Sequence, residues 1–435
     1  MGTYVTQPWT PRVTDGVPRR FTRSGTYQAF VPDSLLDLDV PLDPHAVALL
    51  DEAEGRAREA ADLAVHTGLG QIGDLLVRSE AAASSLIEGY EPTPRAVAVA
   101  DFVTRGREAA VTVARTLHAV RASVERALDP DVSLVRDVVE LQRLITPRHA
   151  GVRAEPVWIG GRTPLEAHYN APPHELVPEL LEDLDSYLSS RRHRPVLAAA
   201  LAHAQLETIH PFTDGNGRAG RVLIGTVLAR YGVAPQITLP VSTALFRDRG
   251  RYYAALDAYR QGDQGLAVVQ VIAGAVAAAA DDALRLSGQV SHWQRRQTEA
   301  LDAYLRDRSS TGRVRRGVAH RVVTDLPTHP VLDAATAAAR YQVTALAARN
   351  ALDSLAAAGV LRPDRKADRT RTVYVATGLL DLIAEPGTAA DADASSAADV
   401  PVAALEPEVE TACGAWLPRA GRTCRLPRGH RGQHR

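Results

Sequence analysis

The sequence predicts a mainly α-helical protein with two or three domains. Three observations support this prediction. The chain has 435 residues, more than a single hydrophobic core usually organises. Apolar residues recur at helical spacing over much of the chain, as Ala46, Leu49, Leu50 and Ala53 illustrate. Only residues 157–162 in the first half have the pattern of a strand that runs into a tight turn.

The composition argues against several classes of protein. Hydrophobic residues make up 45% and charged residues 23%, as in an ordinary globular chain. A formal net charge of −1 disfavours a chain that wraps nucleic acid along its whole length or binds membranes through a polybasic patch. The apolar run at 266–280 is shorter than a membrane span, and the N-terminus lacks a signal-peptide core. We therefore expect a cytoplasmic protein with no membrane partner.

The predicted elements follow one another as helices on both sides of the strand signal. Residues 1–30 are rich in Thr, Arg, Gly and Pro, and we expect them to be flexible. Helical patterns then cover 44–124, with a break at 90–94, and 133–144. After the strand signal, a further helix ends near residue 190, and later helices are predicted at 197–209, 216–231, 252–260 and 265–286.

A second unit is predicted after His292. Its helices cover 298–306, 333–340 and 344–358, and a basic turn at 362–371 leads into a strand at 372–375. Three helices followed by a hairpin is the order of a winged helix, a variant of the helix-turn-helix plan. The predicted recognition helix is rich in alanine, so DNA binding and docking against protein both remain open.

The end of the chain has a different composition. Residues 386–412 are rich in Ala, Asp, Ser and Pro, which predicts a disordered linker. Both cysteines of the chain fall within 413–435, and a structural Zn²⁺ site is one interpretation, with the ligands Cys413, Cys424, His430 and His434. A disordered tail, or an arginine-rich tail that contacts DNA, are the alternatives.

The strongest chemical signal is the stretch HPFTDGNGRAGR, from His210 to Arg221. A predicted apolar helix ends at 209, so His210 lies just past its end and can face a cleft. Gly215 and Gly217 permit a sharp turn whose backbone N–H groups point into one concavity. Asn216 could cap the next helix, whose N-terminus then attracts an anion.

The charged residues of the same stretch suit a nucleotide phosphate. Arg218 and Arg221 are three positions apart and share one helix face, so both could reach one anion. Asp214 would lie beside that anion, and Mg²⁺ commonly bridges a carboxylate and phosphates. His210, with an ordinary pKa near ~6.5, could accept a proton from an alcohol. The combination favours a phosphate cradle with one proton acceptor over a plain helix cap.

This stretch resembles, without departure, the signature of the Fic family, H-x-F-x-[DE]-G-N-G-R-x-x-R. Residues 84–89, SSLIEG, are similar to the inhibitory motif [ST]-x-x-x-E-[GN] of class II Fic proteins. Val157, Trp158 and Ile159 resemble the flap of the family. The resemblance covers roughly residues 28–385 and implies a Fic helical core with a small β-hairpin flap and a C-terminal winged helix. The implied domains are an N-terminal region with the inhibitory helix (31–125), a catalytic core (126–290) and a winged helix (293–385).

The resemblance also implies an activity, the transfer of AMP from ATP to a Ser, Thr or Tyr hydroxyl of a target protein. His210 would be the general base and Asp214 would hold Mg²⁺. Val157–Ile159 would align the target by strand addition. Ser84, Glu88 and Gly89 would form the inhibitory motif, with Glu88 paired to Arg221. The nucleotide would be bound by Gly215, Asn216, Gly217, Arg218, Arg221, Tyr253 and Leu256.

Several alternatives stay open at this point. Arg260 stands where relatives often carry a small polar residue, so the nucleotide preference is not settled by the resemblance. The chain could be a DNA-binding regulator whose Fic domain senses a nucleotide. It could also remove AMP from a modified protein, with Glu88 orienting a water molecule. A homodimer is compatible with each of these functions.

Overall fold

The structure is a computed structural model that describes residues 2–11, 21–66, 72–310 and 316–384, together with three two-residue strands at 400–401, 416–417 and 422–423. Helices dominate these residues, and the strands form sheets of only two or three members. The predicted mainly α fold is confirmed.

The elements in chain order are β1 (Gly2–Trp9), β2 (Gly25–Pro32), α1 (Pro44–His66), α2 (Gly73–Ile87), α3 (Pro94–Val103), β3 (Arg105–Gly106), α4 (Glu108–Ala127), α5 (Leu134–Ile145), β4 (Trp158–Ile159), β5 (Tyr169–Asn170), α6 (Val177–Ser190), α7 (Pro195–Ile209), α8 (Asn216–Arg230), α9 (Val241–Arg247), α10 (Arg249–Gln261), α11 (Leu266–Asp307), α12 (Val318–Asp325), β6 (Val331–Leu332), α13 (Ala334–Tyr341), α14 (Ala345–Ala357), β7 (Arg362–Asp364), β8 (Val373–Val375), α15 (Thr377–Leu380), β9 (Val400–Pro401), β10 (Trp416–Leu417) and β11 (Arg422–Thr423).

Helix α7 lies at the centre of the helical core. Every residue from Val196 to Ile209 is buried, which is expected of a helix that is apolar on all sides. It packs against α6, α8, α10 and α11. Because α7 and α8 pack closely together, the loop that joins them, residues 210–215, is held at both ends by the core.

The expectation of a flexible segment over residues 1–30 is wrong for much of that range. Strands β1 and β2 form an antiparallel ladder whose register runs from Gly2 opposite Pro32 to Trp9 opposite Gly25. Phe30 is buried with Tyr169 of β5, and their ring centroids are 6.4 Å apart. This small core, rather than local sequence preference, holds the hairpin against the β4–β5 flap.

The break in helical structure expected near residue 292 is absent, because α11 continues across this position. The separate helix expected at 298–306 is the last part of α11. Leu286, Val290, Trp293 and Leu301 are all buried, so the helix keeps an apolar contact face on both sides of the expected boundary. The first short helix of the C-terminal unit is therefore α12.

Helix α11 is also long and apolar enough, by length and composition, to cross a membrane. Half of its most apolar window is buried inside the protein, where the helix contacts α1, α7, α9 and α10. The core helix of a globular protein has the same properties, so length and composition do not distinguish the two cases.

The C-terminal unit contains α12, β6, α13 and α14 followed by the β7–β8 hairpin, and its strands are ordered β6-β8-β7. The end of this hairpin lies against α3 and β3. Arg95 donates to Asp364 at 2.7 Å, and Arg105 pairs with Asp368 at 3.3 Å. Arg371 lies over the ring of Phe102 at 5.4 Å. The charged hairpin tip is thus engaged with the N-terminal region of the same chain.

Little of the predicted linker and tail belongs to the part of the chain that the structure describes. Strand β9 pairs with β3, so two residues of the expected linker are in a strand, and β10 pairs with β11. The predicted zinc ligands Cys413, Cys424, His430 and His434 lie outside the described residues.

Candidate active site

The loop between α7 and α8 begins at His210, which ends α7. Its backbone is left-handed, with φ of 50°, and its N–H donates to Leu206 O at 2.9 Å. Gly215, at the other end of the loop, has φ of 84°. A Cβ atom at Gly215 would lie 3.2 Å from the Thr146 side chain, so glycine suits both the backbone angle and the close approach of α5.

Asn216 closes the loop but does not cap α8, contrary to the expectation. Its Oδ1 accepts from Phe212 N at 2.9 Å, and its Nδ2 donates to Phe212 O at 2.8 Å. Gly215 is the N-cap residue of α8 and provides no side-chain cap. The first-turn N–H groups of α8 are therefore not capped by a side chain, as a helix N-terminus that accepts an anion requires.

Gln142 of α5, which the sequence analysis did not identify, supports the loop from below. Its Nε2 donates to Asp214 O at 3.0 Å and to His149 O at 2.8 Å. Its Oε1 accepts from Gly151 N at 2.9 Å. Gln142 is fully buried, and one amide thus satisfies the backbone of two loops.

The His210 ring is held as a neutral imidazole. Its Nδ1 lies 3.3 Å from Glu207 O, so this nitrogen carries the proton and Nε2 keeps a free lone pair. Burial, together with the positive charges of Arg260 and Arg153, lowers the pKa of His210 to about 4. A neutral ring with an available Nε2 can accept a proton near pH 7.

Arg153 holds the backbone of His210 in place, and the sequence analysis did not identify it either. Its Nε donates to His210 O at 2.8 Å, and its backbone N–H donates to Pro211 O at 2.9 Å. The same guanidinium donates to Pro172 O at 2.7 Å and to Glu155 O at 3.0 Å. Arg153 therefore joins the His210 turn to both ends of the flap.

Arg260 of α10 contacts the His210 turn from another direction. Its guanidinium donates to Glu207 O at 3.0 Å, the same carbonyl that His210 Nδ1 contacts. It also lies 4.4 Å from the centre of the Tyr169 ring in the flap and 3.3 Å from Asp257. Arg260 thus places a positive charge between the flap and the His210 turn.

Arg218 has the unsatisfied donors that a phosphate site needs. Its side chain is fully buried, lies over the Tyr90 ring at 5.2 Å and reaches Asp214 Oδ1 only at 3.4 Å. Its Nε and one terminal nitrogen have no hydrogen-bond partner among the described residues. Buried guanidinium donors are normally paired, so this orphaned set fits an anionic ligand.

Arg221 and Glu88 form the ion pair that the resemblance implies. The distance from Arg221 to Glu88 Oε1 is 2.9 Å, and Arg221 also donates to Ser84 Oγ at 2.9 Å and to Ser84 O at 2.8 Å. Burial alone would lower the pKa of Arg221, but Tyr252, Glu88 and the other acidic groups around it raise the pKa above its ordinary value. Gly89 follows with φ of 83°.

Gly217 lies against this ion pair. A Cβ atom there would overlap the Glu88 carboxylate and come within 2.8 Å of Arg221. The docked carboxylate therefore occupies space directly beside the first turn of α8. An anion bound at that turn would meet Glu88 as an unfavourable neighbour.

The remaining predicted nucleotide contacts lie on α10. Tyr253 is 45% exposed and its hydroxyl donates to Ile87 O at 3.1 Å, next to Glu88. Leu256 is buried. Both residues lie on α10, and Tyr253 joins this helix to residue 87, next to Glu88.

The flap has the predicted hairpin form. Trp158 pairs with Asn170 and Ile159 pairs with Tyr169. Val157 O accepts from Ala171 N at 3.2 Å, which extends the pairing by one residue.

Among the described residues, Asp214 is the carboxylate that pairs with the Arg218 guanidinium, at 3.4 Å. Its side chain is 42% exposed. No group of three or more His, Cys, Asp or Glu side chains that could hold a metal occurs among the described residues. One accessible carboxylate beside a phosphate site fits Mg²⁺, which commonly takes its other ligands from phosphates and water.

Residues 132–228 match the Fic/DOC family model. The chain is 36% identical over 137 residues to protein adenylyltransferase fic-1 of Caenorhabditis elegans, a match that covers 30% of this chain and 24% of that protein. It is 38% identical over 137 residues to protein adenylyltransferase Fic of Drosophila willistoni, covering 30% and 25%. The chain thus matches about a quarter of the length of these curated relatives.

Solved Fic structures are also similar to this chain. A Fic family protein from Desulfovibrio desulfuricans has a TM-score of 0.48 at 21% identity, over 78% of this chain and 98% of the other. Fic-1 of C. elegans has a TM-score of 0.41 at 21% identity, over 55% and 73%. The family match identifies residues 132–228 as a Fic domain, and this domain contains His210, the glycine-rich loop and the flap.

Proposed function

We propose that this protein is a protein adenylyltransferase that transfers AMP from ATP to a Ser, Thr or Tyr hydroxyl of a target protein. The observation that carries the proposal is the neutral His210 at one end of a loop that leads into α8, where buried donors of Arg218 have no partner among the described residues. A proton acceptor next to an anion site is what nucleotidyl transfer to an alcohol requires. The curated relatives reported above are named protein adenylyltransferases, which supports AMP as the transferred group.

The geometry suggests a division of roles in the transfer. The hydroxyl oxygen forms a bond to the α-phosphorus of ATP, the bond from that phosphorus to the bridging oxygen breaks, and pyrophosphate leaves. The hydroxyl proton passes to Nε2 of His210. The N–H groups of the first turn of α8 and the guanidinium of Arg218 hold the phosphates. Asp214 would hold Mg²⁺, which neutralises phosphate charge when it is bound.

The proposal includes inhibition by Glu88. Arg221 cannot hold Glu88 and a terminal phosphate at the same time, because the Glu88 carboxylate already occupies one edge of its guanidinium. ATP that enters beside the docked Glu88 would place its α-phosphate out of line with the acceptor. Misalignment of this kind lowers rates strongly without abolishing binding.

A labelling experiment tests the proposal. The Glu88→Gly protein is incubated with α-labelled ATP, Mg²⁺ and cell lysate, with and without His210→Ala, and with the exposed His45→Ala as matched control. Loss of a general base typically lowers the rate by ~10²–10⁴-fold. We expect label on protein in the His45→Ala control and none with His210→Ala, while ATP binding persists in both. Equal labelling by the folded His210→Ala protein would contradict the proposal.

The two alternative functions predict other results. An enzyme that removes AMP would release AMP from pre-labelled protein, and only while Glu88 is present. A DNA-binding regulator would bind duplex DNA through the C-terminal unit. The hairpin of that unit is engaged through Asp364 and Asp368 with Arg95 and Arg105 of the same chain, so DNA would have to bind a hairpin that already contacts the N-terminal region.

A further inference from the structure

A cavity of about 760 Å³ lies between the N-terminal hairpin and the flap, and it opens onto the general base. One wall is formed by the end of β1 and the residues after it, and the opposite wall by the flap. His210 and Thr213 line the same space. Six of the thirteen lining residues are aromatic residues or prolines: Pro8, Trp9, Pro11, Phe21, Pro156 and Trp158.

Trp9 of the hairpin and Trp158 of the flap both line this groove and contact each other. Their rings meet edge to face, with centroids 5.4 Å apart and an angle of 76° between their planes. The indole Nε1–H of Trp9 is shielded from solvent and has no acceptor among the described residues. A buried indole donor normally has an acceptor, so this one is available to a ligand.

The hairpin is held firmly enough to act as a wall. The β1–β2 ladder pairs from end to end, so Trp9 is fixed opposite Gly25. At the other side, β2 packs through Phe30 on Tyr169 of the flap. The groove therefore has two anchored sides rather than a flap alone.

We propose that the N-terminal hairpin forms the second wall of the acceptor groove, and that the groove binds an extended polypeptide with an apolar residue next to the modified hydroxyl. The inference rests on the proposed function, because it takes His210 as the base that receives the hydroxyl proton. Because His210 lines the groove, a polypeptide bound there would bring its hydroxyl to this residue and would be the acceptor of AMP. The aromatic and proline walls select apolar neighbours, and Trp9 Nε1–H donates to a backbone carbonyl of the bound segment.

The charges at the groove support a preference for apolar rather than charged side chains in the bound polypeptide. Glu155 and Arg162 both line the space, so neither sign dominates. Arg162 lies over the Phe21 ring at 4.8 Å and is part of the wall. A cluster of basic or acidic residues in the acceptor would gain little here, whereas a proline or aliphatic side chain would be enclosed.

The test uses the full chain in the Glu88→Gly background with α-labelled ATP, Mg²⁺ and a peptide library that has one central threonine and random neighbours. Trp9→Ala removes the wall, Trp9→Phe keeps a ring but removes the donor, and Val5→Ala on the same strand is the matched control. Loss of one apolar contact in a pocket lowers the specificity constant by ~10–200-fold. We expect Trp9→Ala to lower peptide labelling at least ~10-fold and to abolish enrichment of apolar neighbours, with ATP affinity unchanged. We expect Trp9→Phe to give an intermediate loss.

Several outcomes would overturn the inference. Equal labelling and equal sequence preference in Trp9→Ala and Val5→Ala would remove the hairpin from the groove. If Trp9→Ala fails to fold, the folded Trp9→Phe protein is measured instead. An unchanged KM for the acceptor peptide in Trp9→Phe would likewise remove the hairpin from the groove. Modification of the groove residue Thr10 in the protein itself, found by mass spectrometry, would show that the groove holds its own chain. Absence of labelling in the Val5→Ala control would instead contradict the proposed function, and the inference with it.

Discussion

The Nε atom of Arg153 donates a 2.8 Å hydrogen bond to the carbonyl oxygen of His210. His210 has φ of 50°, a conformation that residues other than glycine adopt infrequently. The local chain therefore needs an external partner to keep this turn, and Arg153 supplies it while also binding the flap at Pro172. Catalytic geometry and flap position are coupled through one buried guanidinium.

Arg153→Met should therefore lower the transfer rate more than it lowers ATP affinity. A small displacement of a catalytic group costs ~10²-fold in rate, and we expect a loss of about this size in kcat. Thermal stability should fall too, because several buried carbonyls lose their donor. The exposed Arg143→Met is the matched control. Steady-state kinetics in the Glu88→Gly background check the prediction, and an unchanged kcat would contradict it.

Arg260 makes a second prediction, which concerns pH. His210 has a pKa of about 4, lowered first by burial and then by Arg260 and Arg153, whereas the Glu207 carbonyl and Glu88 oppose the shift. The neutral base is therefore present at every pH well above 4, and activity falls only as pH drops towards that value. Arg260→Met removes one positive charge beside the ring, so the acid limb of the kcat/KM profile should move to higher pH.

Arg260→Lys keeps the charge and is the control for this change. Its acid limb should stay nearer to that of the parent protein, although lysine lacks the planar fork that lies over Tyr169. The pH profile of kcat/KM for the Glu88→Gly parent and both variants is the measurement. An acid limb at the same pH in the parent and Arg260→Met would show that Arg260 does not act on His210.

The parts of the site that could be predicted from sequence are those whose chemistry is contiguous. His210, Asp214, Arg218 and Arg221 belong to one loop and the first turns of one helix, so their spacing already brings them together. The contact of Glu88 with Arg221 is distant in sequence and was expected only through the family resemblance.

Residues that act on backbone carbonyls could not be predicted. Gln142 and Arg153 are recognised only by what they touch, and those carbonyls come from segments brought together by folding. The N-terminal hairpin was missed for a related reason, since Phe30 of β2 is buried between Tyr4 of β1 and Tyr169 of the flap, which only folding brings together. In α11, the change of composition near 292 suggested a boundary, whereas the buried Trp293 carries the packing across it.

The zinc site in the tail stays a prediction, based on both cysteines and two histidines within 413–435. We expect one Zn²⁺ per chain in the purified protein and a loss of it in Cys413→Ala/Cys424→Ala, because removing two thiolates leaves too few ligands. Elemental analysis of both proteins is the measurement, and His292→Ala is a control that keeps the tail intact. Equal substoichiometric zinc in all three would favour a tail without metal.

Glu88 gives the prediction that bears most directly on regulation. Its carboxylate is 2.9 Å from Arg221, and Arg221 is also held by both oxygens of Ser84. Loss of Glu88 alone leaves Arg221 anchored by Ser84 and free to receive a phosphate. Glu88→Gly should therefore raise AMP transfer at least ~10-fold, because the α-phosphate can align with the acceptor. The exposed Glu91→Gly, three residues away, should leave the rate unchanged.

Arg221→Ala separates this explanation from simple loosening of α2. It removes the partner of Glu88 but also removes the phosphate clamp, so it should not activate the enzyme, either alone or with Glu88→Gly. Transfer of α-label from ATP to protein, measured for the four variants at equal concentration, checks the set. Activation by Arg221→Ala would mean that release of the helix is sufficient and that Arg221 does not hold the nucleotide. A Glu88→Gly protein no more active than wild type would show that the ion pair is not the brake.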